Sequence, residues 1–342
     1  MKRKGLNDIE LLLSELDKQQ LCDFIRGECA NDRHFQQRFL SLGTGFLTSP
    51  KFSDYHARIM DMIEEFGDRH GFVEYSKTFR LNRAICQIID EADIAIQNYQ
   101  WDVAQTILDS IATSGEEILY CGDDSAGELG DILHYCFQKW HELSSDELLP
   151  EGKKSELFEL SLTHFAEGCL KEFDWWWDWI QMAIQLADDE EKQGRIIQEL
   201  DKVINIKGDE WGINYNRQVA QRHKLEIMSK RGTPEEQFKF MYENVSNPDF
   251  RRRLLQMAWD RGDYKEVLRL AVDGATHDSN YAGLVNDWHK WELKVYLQTH
   301  DHAGSLRLYQ YFFFNGGRFG EEAYSMENIY GQMKSIVLED EW

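Results

Sequence analysis

The residues from 250 to 316 contain a helix, a short break and a second helix twice over, and this repeat limits the possible folds more than any other feature of the chain. In the first copy, apolar stripes at 250–258 and 267–271 flank a break at 261–264. In the second copy, the break at 300–302 comes about 38 residues later. One such helix pair leaves an apolar face uncovered, so pairs of this kind stack into arrays with a repeat of roughly 30 to 45 residues. The pattern therefore predicts a helical array, whose extended surface is typical of binding proteins.

Apolar residues recur with the helical period along most of the remaining chain. The period is clear at 52–66, 78–97 and 132–143, and three short helices are predicted between residues 6 and 40. No segment shows the strict alternation of a half-buried β-strand. A hydrophobic content of 42% with only 4 prolines is typical of a folded chain rather than a disordered one. The sequence therefore predicts an all-α protein.

Residues 115–130 differ in composition from the segments on either side. They combine several glycines with acidic residues, which is typical of a loop. We therefore predict an N-terminal helical region at 1–114, an acidic glycine-containing loop at 115–130 and a C-terminal helical-repeat array at 131–342.

The net charge of −23, from 61 acidic and 38 basic residues, disfavours direct binding to nucleic acid. Such binding depends on lysine and arginine side chains that neutralise phosphates. The largest internal basic cluster is Arg251, Arg252 and Arg253, and adjacent helix positions point in different directions. We interpret these three arginines as a solvated helix surface.

The cysteine pattern and the hydropathy predict a cytoplasmic protein. No C-x-x-C pair and no histidine at zinc-ligand spacing accompanies the cysteines, so they are interpreted as free thiols in a reducing compartment. No segment approaches 18 uncharged apolar residues, so no membrane span is expected. The six cysteines are Cys22, Cys29, Cys86, Cys121, Cys136 and Cys169.

No complete catalytic or metal-binding motif is present. The acidic pair Asp123 and Asp124 opens a loop similar to a calcium loop, but His134 occupies the position of the required bidentate acid. His141 and Glu142 begin a zinc-helix motif in which Ser145 replaces the second histidine. We therefore predict no catalytic residue, no cofactor and no stoichiometric zinc or calcium.

The densest aromatic run lies at residues 173–179. On a helix, Trp175 and Trp179 share one face and Trp176 lies near it. We interpret the run mainly as packing between helices. The alternative is that one or two of these rings stay exposed as anchors for a partner, because interface hot spots favour tryptophan.

A second candidate for partner binding is a stripe on the helix at 248–261. Arg252, Gln256 and Trp259 follow one another at i, i+4 and i+7, opposite the apolar stripe. In arrays of helix pairs, one helix of each pair lines the concave side. The stripe is therefore predicted to contact a ligand there, so that Arg252→Ala and Trp259→Ala should weaken partner binding without unfolding the array.

The segment LLQMAWDRGDYKEVLRLA at 254–271, with Gly274, Trp288 and Tyr296 after it, resembles the helical region that follows the zinc finger in bacterial SWIM-type zinc-finger proteins. The opening of the chain, with Ile9-Glu10-Leu11-Leu12, Leu16, Leu21, Asn31-Asp32 and Phe35, is similar to the start of that region. The resemblance implies a tetratricopeptide-like array with a role in protein interaction. The chain has no C-x-C followed by C-x-H, so the zinc site of the family is not carried over.

These observations together predict helical hairpins stacked as a tetratricopeptide-like α-solenoid. The predicted function is a non-catalytic scaffold or adaptor that binds another protein along the concave face of the array. Two alternatives remain: an acidic mimic of nucleic acid that inhibits a DNA-handling enzyme, and an enzyme with an unrecognised site. The mimic requires acids clustered at phosphate-like intervals, and the enzyme requires a cleft with converging groups of shifted pKa.

Overall fold

The computed structural model describes residues 16–31, 51–208, 210–315 and 325–336. Within these ranges all regular structure is helical, apart from one isolated bridge between Val73 and Gly122. The all-α prediction is therefore confirmed. Of the three short helices predicted between residues 6 and 40, the second is described, and the other two lie outside the described residues.

The chain divides into two compact units, the first ending at Glu199 and the second beginning at Leu200. The acidic segment at 115–130 lies inside the first unit. Among the described helices, none is both long enough and apolar enough to cross a membrane.

Nine helices are described from the start of the chain through the end of the first unit. They are α1 (Lys18–Asn31), α2 (Phe52–Phe66), α3 (Tyr75–Gln97), α4 (Trp101–Thr113), α5 (Gly115–Tyr120), α6 (Glu128–Ser144), α7 (Glu151–Glu167), α8 (Trp176–Leu186) and α9 (Glu190–Ile204), the last of which continues past Glu199. Helix α3 packs on α4 and α6, α4 packs on α2 and α6, and α8 packs on α7 and α6. The first unit is therefore built from contacts between helices that are not all neighbours in sequence.

The acidic segment at 115–130 contains one short helix and the start of the next. Residues 115–120 form α5, and the loop that follows brings the Asp124 carboxylate to the first turn of α6. There Asp124 accepts hydrogen bonds from the backbone N–H groups of Leu129, at 2.6 Å, and Gly130, at 3.1 Å. These donors have no partner within the helix, so a carboxylate is favourable beside them.

Seven described helices make up the rest of the second unit. They are α10 (Trp211–Arg231), α11 (Pro234–Glu243), α12 (Pro248–Asp260), α13 (Tyr264–His277), α14 (Ala282–Gln298), α15 (His302–Asn315) and α16 (Met326–Ile336). Each of these helices packs against the next one in sequence. Helix α12 ends and α13 begins at the first predicted break, and α14 ends and α15 begins at the second.

The two breaks have the same backbone geometry. Gly262 in the first break and His300 in the second both have a positive φ, of 72° and 57°. In each case the next residue, Asp263 or Asp301, donates its backbone N–H to a carbonyl five residues earlier. Each aspartate then accepts a bond from a backbone N–H three residues further on. Both copies of the sequence pattern thus end one helix and start the next with the same turn.

Candidate binding surface of the second unit

Side chains of α10, α12 and α14 meet in one layer, in which α12 and α14 run in the same direction. Gln221 of α10 bonds to Asn247, which precedes α12. Arg252 of α12 pairs with Asp287 of α14, and further along both helices the ring of Trp259 lies 6.4 Å from that of Trp291. Because residue numbers rise on both partners in this order, α12 and α14 are parallel. We refer to these three helices as the α10–α12–α14 layer.

A groove of about 650 Å³ lies at the N-terminal ends of the α10–α12–α14 layer. Its volume is in the range of small-ligand sites. We call it the N-terminal groove. It is lined by Gly208, Trp211, Asn214, Tyr215, Arg217, Gln218, Gln221, Ser246, Pro248, His277, Asp278, Asn280, Tyr281 and Leu284.

Aromatic rings in the N-terminal groove face solvent. Trp211 is 71% exposed and Tyr281 is 51% exposed. The Trp211 ring stacks on that of Tyr215, with the centroids 5.5 Å apart and the planes 11° from parallel. Exposed tryptophan of this kind is costly to leave in water and is typical of contact surfaces.

The fixed charges of the groove are held by the chain itself. The Arg217 guanidinium donates to the carbonyl oxygens of Ile204, Ile206 and Gly208. The Asp278 carboxylate is buried and accepts a 2.7 Å hydrogen bond from the indole of Trp288. The groove therefore offers a ligand mainly rings and carboxamides.

A row of alternating charges crosses the layer below the groove. Asp249 lies between Arg222 of α10 and Arg252 of α12, at 3.0 Å from each. Arg252 also pairs with Asp287 of α14 at 2.8 Å. These four side chains are each about 40% exposed, so the individual pairs stabilise the fold by at most about 1 kcal/mol. The row ties the three helices together and balances charge on this surface.

The predicted stripe on α12 lies along the seam with α14. Arg252 is half-buried in the row of charges, and Trp259 is half-buried against Tyr264 and Trp291, with the ammonium of Lys294 3.9 Å from its ring centroid. Gln256 is exposed and bonds to Asp260. The structure thus places Arg252 and Trp259 in contacts between helices and leaves Gln256 on the surface.

The tryptophans at 175–179 differ in how deeply they are buried. Trp176 is 3% exposed and donates its indole N–H to the carbonyl of Phe165, and Trp179 is fully buried. Neither ring can contact a partner while it is buried, so the anchor alternative is wrong for these two and the packing interpretation holds. Trp175 remains half-buried, next to the ring of Phe173.

The interpretation of Arg251 as a solvated residue is wrong. Its side chain is 3% exposed and donates to the carbonyl of Leu270, with its guanidinium 5.6 Å from the Trp288 ring centroid. Burial lowers the pKa of Arg251. Arg253 is exposed, as predicted.

Cys86, Cys121 and Cys169 of the first unit are poor nucleophiles. Burial raises the pKa of Cys86 and of Cys121 to about 11, and that of Cys169 to about 12. At neutral pH they are therefore thiols, whereas the reactive species is the thiolate. Among the described residues, no three His, Cys, Asp or Glu side chains are arranged to bind one metal ion.

The buried Cys121 thiol predicts a loss of stability in alkali. In the unfolded chain this thiol has its ordinary pKa of 9.0, whereas burial in the folded protein raises its pKa to about 11. Its stabilising effect is therefore fully present below about pH 9 and is lost as the pH rises to about 11, by up to about 2 to 3 kcal/mol. Urea unfolding across this pH window measures the loss. Cys121→Ala should show a shallower decline, and an identical decline in the two proteins would contradict the assignment.

No protein-family model, curated protein or solved structure matches the chain significantly. The functional assignment therefore rests on the geometry of this chain.

Proposed function

We propose that the protein is a non-catalytic scaffold or adaptor that binds another protein through its second unit. The binding surface is the α10–α12–α14 layer, which we take as the concave face of a tetratricopeptide-like α-solenoid. No cofactor takes part, and the protein acts in the cytoplasm.

The solenoid part of the proposal is supported by the packing of the second unit. Successive helices contact one another, and the side chains of α10, α12 and α14 meet in one layer. In the other layer, Tyr242 of α11 bonds to Glu266 of α13. Together with the matching turns at Gly262 and His300, this alternation is what stacked helix pairs produce. The relationship to the helical region of SWIM-type proteins is proposed from the sequence resemblance at 254–271 alone.

The N-terminal groove is the observation that carries the binding function. It combines exposed rings with carboxamides, which can both donate and accept hydrogen bonds. Its two fixed charges, on Arg217 and Asp278, are already engaged, which suits binding better than acid–base chemistry. A partner that covers Trp211 and Tyr281 would remove a large apolar area from water.

The proposal is tested by capturing partners from a lysate of the source organism with the full-length protein immobilised. Wild type, the double variant Trp211→Ala/Tyr281→Ala and Phe314→Ala are compared, with the captured protein then purified and its affinity measured directly. Phe314 is 82% exposed and does not line the groove, so it is a matched control. We expect the double variant to weaken binding at least about tenfold, and Phe314→Ala to bind normally.

Three results would overturn the proposal. Equal binding by the double variant and wild type would place the contact surface outside the groove. Capture of a DNA-handling enzyme through an interaction that falls steeply with salt would favour the acidic mimic. Turnover of a substrate by the purified chain would favour an enzyme.

A further inference from the structure

The N-terminal groove has one exposed ring on each side of α12. Trp211 belongs to α10 and Tyr281 immediately precedes α14, and α12 contacts both of these helices. Ser246 and Pro248, at the start of α12, line the groove as well. A ligand that touches both rings must therefore cross the N-terminal end of α12. This geometry favours an extended ligand over a compact one.

The two fixed side-chain charges of the groove, on Arg217 and Asp278, already have partners within the chain. The guanidinium of Arg217 donates to three backbone carbonyls, and the buried carboxylate of Asp278 accepts a hydrogen bond from the indole of Trp288. A phosphorylated or acidic ligand would need an available cation, and a basic ligand an available carboxylate. Apart from Arg217, Asp278 and the tyrosines, the ionisable residue that lines the groove is His277. Its Nε2 lies 3.9 Å from Oδ1 of Asp278.

The polar groups of the groove suit backbone carbonyls. Gln218 and Asn280 line it with carboxamides, each of which carries two N–H donors. Helix α14 has no side-chain cap from Tyr281, so its first backbone N–H groups are further donors at this edge. A polyproline II segment has no internal hydrogen bonds, and each proline carries a carbonyl acceptor without an N–H donor.

We propose that the N-terminal groove binds an uncharged, proline-rich segment of a partner protein in the polyproline II conformation. The proline rings lie on Trp211 and Tyr281, and the carboxamides of Gln218 and Asn280 donate to the backbone carbonyls between them. Aromatic grooves recognise this conformation because little entropy is lost when it binds. The inference rests on the proposed function, since it specifies the partner of that same surface.

The test is calorimetric titration of the full-length protein with an end-blocked oligoproline peptide of about ten residues, which extends over roughly 30 Å at about 3.1 Å per residue. We expect saturable binding that Trp211→Ala and Tyr281→Ala each weaken about tenfold, which is the effect of removing a hot-spot ring. Phe314→Ala should bind like wild type. The affinity should change little between low salt and ~1 M salt, because no net charge is paired.

End-blocked oligoglutamate and oligolysine of the same length, and a neutral linear oligosaccharide, are the comparison ligands. Absence of oligoproline binding, tighter binding of any comparison ligand, or equal weakening by Phe314→Ala would overturn the inference. Its failure is distinguishable from that of the proposed function. If oligoproline does not bind but the captured partner is still lost in Trp211→Ala/Tyr281→Ala, the scaffold proposal stands and only the ligand class is wrong.

Discussion

Replacement of Trp288 by alanine is expected to lower the free energy of unfolding by about 3–5 kcal/mol, the usual cost of truncating a buried tryptophan. Trp288 is fully buried in the second unit, with Leu254 and Leu255 in the same core cluster. Its indole N–H donates to the buried carboxylate of Asp278, and the guanidinium groups of Arg251 and Arg252 lie over its ring. The substitution therefore creates a cavity and also leaves a buried carboxylate without its donor. Urea unfolding followed by circular dichroism measures the loss.

Trp288→Phe separates the two contributions. Phenylalanine keeps most of the packed ring but cannot donate to Asp278, so we expect a smaller loss of about 1–3 kcal/mol. Phe314→Ala, at an exposed position of the same unit, should change stability by less than about 0.5 kcal/mol. A loss below about 1 kcal/mol for Trp288→Ala would contradict the tight packing of this ring in the core.

Trp179→Ala is expected to destabilise the first unit by about 3–5 kcal/mol. The ring is fully buried and packs edge-on against Phe137 and Trp140, with centroids 5.0 and 5.9 Å away. It also contacts the imidazole of His164, which is held 2.7 Å from Asp109. Removal of this one side chain therefore loosens contacts among α6, α7 and α8. The loss is measured by thermal and urea unfolding.

Trp175→Ala is the matched control, since Trp175 lies four residues earlier in the same aromatic run but is half-buried. We expect its effect on unfolding to be clearly smaller than that of Trp179→Ala. The comparison also tests the anchor interpretation. If Trp179→Ala reduced affinity for a captured partner while leaving stability unchanged, the ring would have to be accessible, and its assignment to the core would be wrong.

Local sequence patterns were sufficient to predict most of the described helices and several of their ends, although α5 lies in the segment predicted as a loop. Thr233 and Glu236 form the capping box that precedes α11, with Pro234 at its first position. The same arrangement links Asp17 and Gln20 before α1. These features depend on residues three or four positions apart, so they are readable without any knowledge of distant contacts.

The sequence pointed to Arg252, Gln256 and Trp259 but not to the groove formed around Trp211 and Tyr281. The groove residues come from three separate segments, and none of those segments carries a motif. A local signal was present in the Trp211 and Tyr215 pair, since aromatic residues at i and i+4 share one helix face. That signal says that two rings stack but not whether they face solvent or a neighbouring helix.

The sequence by itself determined that the chain is all-α and where several of its helices begin and end, because helical periodicity and capping are local. The tertiary structure decided which residues of a helix are buried. Arg251, Arg252 and Arg253 are three adjacent residues of the same type, yet only Arg251 is enclosed. The glycine at 274 leaves room for it, because a Cβ there would lie 2.7 Å from Arg251 Cδ and 3.0 Å from Trp288 Cδ1. Whether a side chain is buried or belongs to the candidate surface depends on contacts between different helices. The periodicity within a single helix carries no information about those contacts.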